Sequence, residues 1–142
     1  MSVIKVWTDG RWSNEIKGLD KVHLVKEAIL AQYSPKERFD DAEDYEGLMD
    51  GFEINGIPIS AEVFNEDSYN HEDWGWFWGS FQGRIKVELK NVETFTMPIA
   101  VLRKLSRDDS SLSAKYDEII SASKAPASTP RGYCLMLRFE DE

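Results

Sequence analysis

Near the middle of this 142-residue chain, Phe52-Glu53-Ile54 and Ile57-Pro58-Ile59 flank one Asn55-Gly56 pair, a pattern that admits few local structures. Asparagine followed by glycine supplies the two positive φ angles of a two-residue turn, so the flanking triplets are expected to pair as an antiparallel hairpin. Pro58 has no N–H to give to a ladder, which places the second strand at the edge of a sheet. Ser60 to Phe64 extend that strand in the sequence pattern, and 65–73 reads as a loop.

Alternation marks the other strands. Residues 3–8 (VIKVWT) alternate ahead of an Asp9-Gly10 turn, with Trp12 and Ile16 in a short connecting piece. Residues 84–90 (RIKVELK) place Ile85, Val87 and Leu89 on one face and basic residues on the other. Residues 92–97 read as a strand broken by Pro98. Residues 132–139 (GYCLMLRF) are apolar at consecutive positions, which puts that strand inside the sheet with both faces covered.

Helical spacing appears four times. Leu19, Val22, Val25 (with Leu24), Ala28 and Ile29 recur at helical period over 19–33, with Asp20 in the first turn, where a carboxylate meets the positive end of the helix dipole. Ser34-Pro35-Lys36-Glu37 is a capping box with proline at the first helical position, predicting a second helix that runs to about Met49 and stops at Gly51. Ile99 to Leu105 suits a short helix. Asp108-Asp109-Ser110-Ser111 is a start signal for another from Leu112 to about Ser123. Residues 124–131 (KAPASTPR) form a Pro/Ser/Ala connection expected to be mobile. The fold class that follows is α+β: a mainly antiparallel sheet with two to four helices packed on it. With 42% hydrophobic and 12% aromatic residues, one compact domain over 1–142 has enough side chains for a core.

Charge is distributed unevenly. Residues 36–73 hold 2 basic and 13 acidic side chains, a balance of −11, while the rest of the chain stands at +2. From Phe39 to Trp78 there is no lysine or arginine. A solubilising surface normally intersperses both signs. Along the predicted second helix Glu37, Asp40, Asp41, Glu43, Asp44 and Glu46 face solvent together, and like charges three and four apart cost roughly 0.2–0.5 kcal/mol per pair. The charges continue into Glu53, Glu62, Glu66, Asp67, Glu72 and Asp73. Carboxylates on successive helical turns stand about 5–6 Å apart, similar to the step between phosphates along a nucleic-acid strand. Such a surface disfavours direct binding of nucleic acid, which needs cations to displace counterions. It suits instead the basic groove of a nucleic-acid-binding protein.

Next to this segment, Trp74, Trp76 and Trp78 recur at period two, with Gly75, Phe77 and Gly79 between them. On a strand the three indoles share one face, either filling a core or forming a contact surface. The expected partner-binding residues are therefore Asp40, Asp41, Glu43, Asp44, Glu66, Asp67, Glu72, Asp73, Trp74, Trp76 and Trp78. The expected function is a stoichiometric inhibitor, of immunity or anti-defence type, of a basic nuclease or other nucleic-acid-binding protein. The alternative is a small-molecule protein that stacks a planar or nucleotide-like ligand on the tryptophan row, although the nearest cations for such an anion are Arg84 and Lys86.

Catalytic signatures are missing from the sequence. It contains no G-x-S-x-G, H-E-x-x-H, phosphate loop or dinucleotide fingerprint. His23 lies on the first helix beside Leu24 and reads as partly exposed packing. His71, Glu72 and Asp73 with Glu66 and Asp67 offer oxygen donors to a hard cation, but NEDSYNHED lacks the spacing of a calcium loop. No metal, cofactor or enzymatic activity is expected. The single cysteine, Cys134, has no nucleophile context and reads as a core residue; one cysteine excludes an internal disulfide and suits a reducing compartment. The N-terminal residues show no signal-peptide pattern, and no apolar run reaches the roughly 18 residues of a membrane span. A cytoplasmic protein without membrane contact is the expectation.

Overall fold

The computed structural model describes residues 2–32, 51–58, 68–71, 75–78, 86, 87, 89 and 91–141; for Leu30, Gln32, 68–71, 75–78, 86 and 87 it describes the backbone alone. The predicted helix of residues 35–49 lies outside the described residues.

The architecture is an α+β sheet-and-helix arrangement. The larger sheet has six antiparallel strands: β1 (Ser2–Thr8), β2 (Arg11–Trp12), β3 (Glu53–Ile54), β4 (Ile57–Pro58), β8 (Thr94–Pro98) and β9 (Cys134–Asp141), in the spatial order β2-β1-β9-β8-β3-β4. A smaller antiparallel sheet, in order, holds β5 (Ser68–His71), β6 (Gly75–Trp78) and β7 (Lys86–Val87). Three helices are described: α1 (Lys21–Gln32), α2 (Ile99–Asp108) and α3 (Ser113–Ala122). None of the described helices is long and apolar enough to cross a membrane.

The hairpin forms as its turn chemistry requires. Asn55 and Gly56 have φ of 53° and 77°, with Ile54 opposite Ile57 and Glu53 opposite Pro58. β4 is the terminal one of the described strands, so among them the missing donor of Pro58 faces an edge. The Asn55 carboxamide does more than permit the turn: Nδ2 donates to the Asn91 carbonyl at 2.8 Å, and Oδ1 accepts from the Glu93 and Thr94 amides at 2.9 and 3.2 Å. The hairpin is thereby fastened to the start of β8.

At the other edge, residues 13–16 run beside β1 and use its free backbone groups. Ser13 N–H donates to Val6 O, and Ile4 and Ile16 exchange both of their backbone bonds. Ser13 Oγ accepts the Val6 amide at 2.9 Å. Trp12 thus belongs to a strand, opposite Trp7, and not to a connecting piece.

One face of the six-stranded sheet carries the core. Ile4, Val6, Ile54, Phe95, Met97, Leu135, Leu137 and Phe139 are buried with Leu24, Val25, Ala28 and Ile29 of α1, Ile99, Leu102 and Leu105 of α2, and Tyr116 and Ile119 of α3. Each such large apolar side chain contributes about 1.5–3 kcal/mol on burial. Phe52 packs against Phe95 with ring centroids 5.8 Å apart. Pro98 closes β8 and opens α2 directly, and the Ile99 amide is satisfied by Tyr133 O at 2.8 Å.

Three local expectations are corrected. The helix begins at Lys21, and Asp20 stands before it, its Oδ2 accepting the Val22 amide as a cap. β9 is internal to the sheet, but only alternate residues are buried: Leu135, Leu137 and Phe139 face the core, while Cys134 and Arg138 are exposed on the opposite side. Cys134 is therefore not a core residue. The two-residue pleat decides this, because the helices cover one face of β9 and residues 134, 136 and 138 point to the other.

Tyr116 is fully buried, and no described residue bonds its hydroxyl. Burial, then the Asp109 and Glu27 carboxylates, push its pKa up to about 12. A raised acid pKa means stability that is complete below pH 10 and is lost as pH rises toward 12. Tyr116→Phe is expected to keep neutral-pH stability within about 1 kcal/mol and to flatten the decline between pH 10 and 12. Denaturant melts at pH 7 and 11 measure both, and an unchanged alkaline decline would count against this assignment.

Candidate functional site

The predicted acidic residues Asp40, Asp41, Glu43, Asp44, Glu66, Asp67, Glu72 and Asp73, together with Trp74, lie outside the described residues. Trp76 and Trp78 fall on β6, the central strand of the smaller sheet, opposite Asn70 and Ser68 respectively. Their spacing of two on a paired strand puts both at positions of the same face.

A second group of aromatics lies at one end of the larger sheet, on the side away from the core. Trp7 and Trp12, cross-strand partners in β1 and β2, meet edge-to-face with centroids 5.1 Å apart. The Arg138 guanidinium stands over the Trp12 ring at 5.8 Å. Lys5 and Arg138 are themselves cross-strand neighbours, and Glu140 Oε1 offsets their repulsion, at 3.0 Å from Lys5 Nζ and 3.6 Å from Arg138 Nε. Trp7 remains 41% exposed and Tyr133, just before β9, 48% exposed. Tryptophan, tyrosine and arginine are the residue types that most often carry interface energy.

Two clefts flank the β1–β2 turn. One, of about 550 Å³, is lined by Arg11, Ser13, Asn14, Glu15, Glu118 and Ser121 among others. The other, of about 450 Å³, is lined by Trp7 and Tyr133, with Asp9, Lys124, Pro126 and Thr129 also on its walls. Thr8 and Lys124 border both. The ridge between them is fixed by Thr8 Oγ1, which donates to Ala122 O at the end of α3. The other α3 carbonyls are also taken: Ser123 N–H donates to Ile119 and Ile120, and Lys124 N–H to Ser121.

The wall formed by residues 124–133 is held from below. Arg103 donates one guanidinium nitrogen to Thr129 O at 3.2 Å and another to Pro126 O at 3.3 Å. Turn bonds run from Thr129 N to Pro126 O and from Tyr133 N to Pro130 O.

On the same sheet face, the Cys134 thiol is pushed up from its ordinary pKa by partial desolvation and by the Glu53 carboxylate. It is therefore a poor nucleophile at neutral pH. The Asp109 carboxyl is lowered, chiefly by the Ser111 hydroxyl bond at 2.6 Å, and serves to order the turn before α3. His23 is half-buried on α1, and no described residue bonds its Nε2. The described residues include no group of three or more metal-ligating side chains.

Trp7, Trp12, Tyr133 and Arg138 are not among the partner-binding residues expected from the sequence. The alternation of residues 3–8 did hold a signal, since Trp7 shares its face with Lys5 and opposes Ile4 and Val6. That Tyr133 comes to the same end of the sheet could be found only in the fold.

No family model, no curated protein and no solved structure matches this chain.

Proposed function

We propose that this chain is a stoichiometric inhibitor, of immunity or anti-defence type, that occupies the nucleic-acid groove of a basic nuclease or other nucleic-acid-binding protein. One observation carries the reading: a balance of −11 within residues 36–73, against +2 for everything else. Segregated charge acts on encounter, since a field of one sign raises association rates with an oppositely charged partner by about 10- to 1,000-fold. The hairpin β3–β4 supports the reading, because it fastens the middle of the acidic segment to the sheet through Asn55. A carboxylate held on such a hairpin, as Glu53 is, loses less conformational entropy on docking than one on a free tail.

The test uses the basic partner captured from the host and its own nucleic acid as competitor. The wild-type chain is expected to displace that nucleic acid at a ratio of one to one. Charge reversal at Asp40, Asp41 and Asp44 should slow association at low salt by about tenfold or more, with little change in dissociation. Raising the salt should shrink the difference between the two proteins. Equal association rates at low salt would sink the steering role of this segment.

A further inference from the structure

The cleft between Trp7 and Tyr133 brings two opposite charges to one aromatic-walled space. Asp9 and Lys124 both line it, and neither is ion-paired with a described residue. Both also stand in the left-handed backbone region, at φ 52° and 58°. Lys124 follows the Ser123 cap of α3, where a left-handed residue is usually glycine. A lysine there is conformationally costlier than glycine, while its charge suits the negative end of α3.

We propose that this cleft binds an aromatic α-amino acid as its zwitterion, the ring between Trp7 and Tyr133, the carboxylate on Lys124 and the ammonium on Asp9. The volume of about 450 Å³ falls in the range of small-ligand sites. Two half-exposed aromatic walls favour a planar ring, by edge or offset contact. One cation and one anion match a ligand of zero net charge that carries both charges on one carbon beside its ring, and leave a purely anionic or purely cationic ring with one charge opposed. The Arg103 bonds to Thr129 and Pro126 hold one wall, and the Thr8–Ala122 bond holds the other, so the site is preformed. This inference rests on the cleft alone and is independent of the acidic segment.

The backbone itself supplies the variants for a test. Lys124→Gly and Asp9→Asn each put a residue tolerant of positive φ at its position, so both are expected to fold with unchanged or raised melting temperature. Calorimetric titration of the full chain would use L-phenylalanine, phenethylamine (no carboxylate), 3-phenylpropionate (no ammonium) and L-leucine (no ring). L-Phenylalanine is expected to bind most tightly. Lys124→Gly should weaken it by about tenfold or more while leaving phenethylamine unchanged, and Asp9→Asn should weaken it similarly while leaving 3-phenylpropionate unchanged. The proposal is overturned if L-phenylalanine gives no binding at millimolar concentration, if leucine binds equally well, or if both variants bind L-phenylalanine like the wild type.

Discussion

Asn55→Ala is expected to destabilise the fold by about 2–4 kcal/mol, a loss of roughly 10 °C in melting temperature for a chain of this size. Three side-chain bonds disappear together, those to the Asn91 carbonyl and to the Glu93 and Thr94 amides. Alanine must also adopt the left-handed φ of 53°. The two contributions separate by choice of replacement. Asn55→Gly keeps the φ and loses the bonds, so it should recover about 1 kcal/mol of the alanine loss. Asn55→Asp keeps an acceptor for the two amides and should be milder than either. Denaturant melts of the three variants give the ranking, and an alanine variant that melts with the wild type would show that the carboxamide does not fasten the hairpin to β8.

The second large effect is expected at Gly51, where the chain enters β3. Its φ of 89° is unfavourable for any L side chain, and a β-carbon there would stand 2.9 Å from Cys134 Sγ and 3.0 Å from Pro98 Cγ. Gly51→Ala should therefore cost about 2–3 kcal/mol, from the backbone conformation and from contacts that force β8 and β9 side chains to shift. Cys134 is exposed and carries no core packing, so Cys134→Ala alone should be nearly neutral. In the double variant the sulfur contact is gone and part of the loss should return, leaving the cost of φ and of the Pro98 contact. A double-mutant cycle in denaturant measures that coupling. Strict additivity would mean that the sulfur does not oppose a side chain at 51.

At several described positions one residue type suffices to set local geometry. Asn55-Gly56 and Asp9-Gly10 determined two turns, because few residues other than asparagine, aspartate and glycine accept their positive φ. The two-residue alternation of 3–8 and the helical spacing of Leu24, Val25, Ala28 and Ile29 chose which side chains went inward. Pro58 named its own edge, since a missing donor acts at the residue that lacks it. The segregation of charge into residues 36–73 is likewise a property of the chain alone.

Other features had no local carrier. A run such as Cys134-Leu135-Met136-Leu137 is apolar at every position, so its pattern cannot say which face is covered; the packing of three helices on one side of the sheet decided it, and left Cys134 in the open. Beyond Trp12, which the Asp9-Gly10 turn sets opposite Trp7, residues 13–16 stay beside β1 through backbone bonds to Val6 and Ile4. The Asn55 bonds reach 36 to 39 residues along the chain, and the cleft joins Trp7 to Tyr133 from opposite ends of it. Turn and pleat follow from the φ, ψ and period of neighbouring residues, whereas such junctions form only when burial of the shared core brings β1, β8 and β9 side by side.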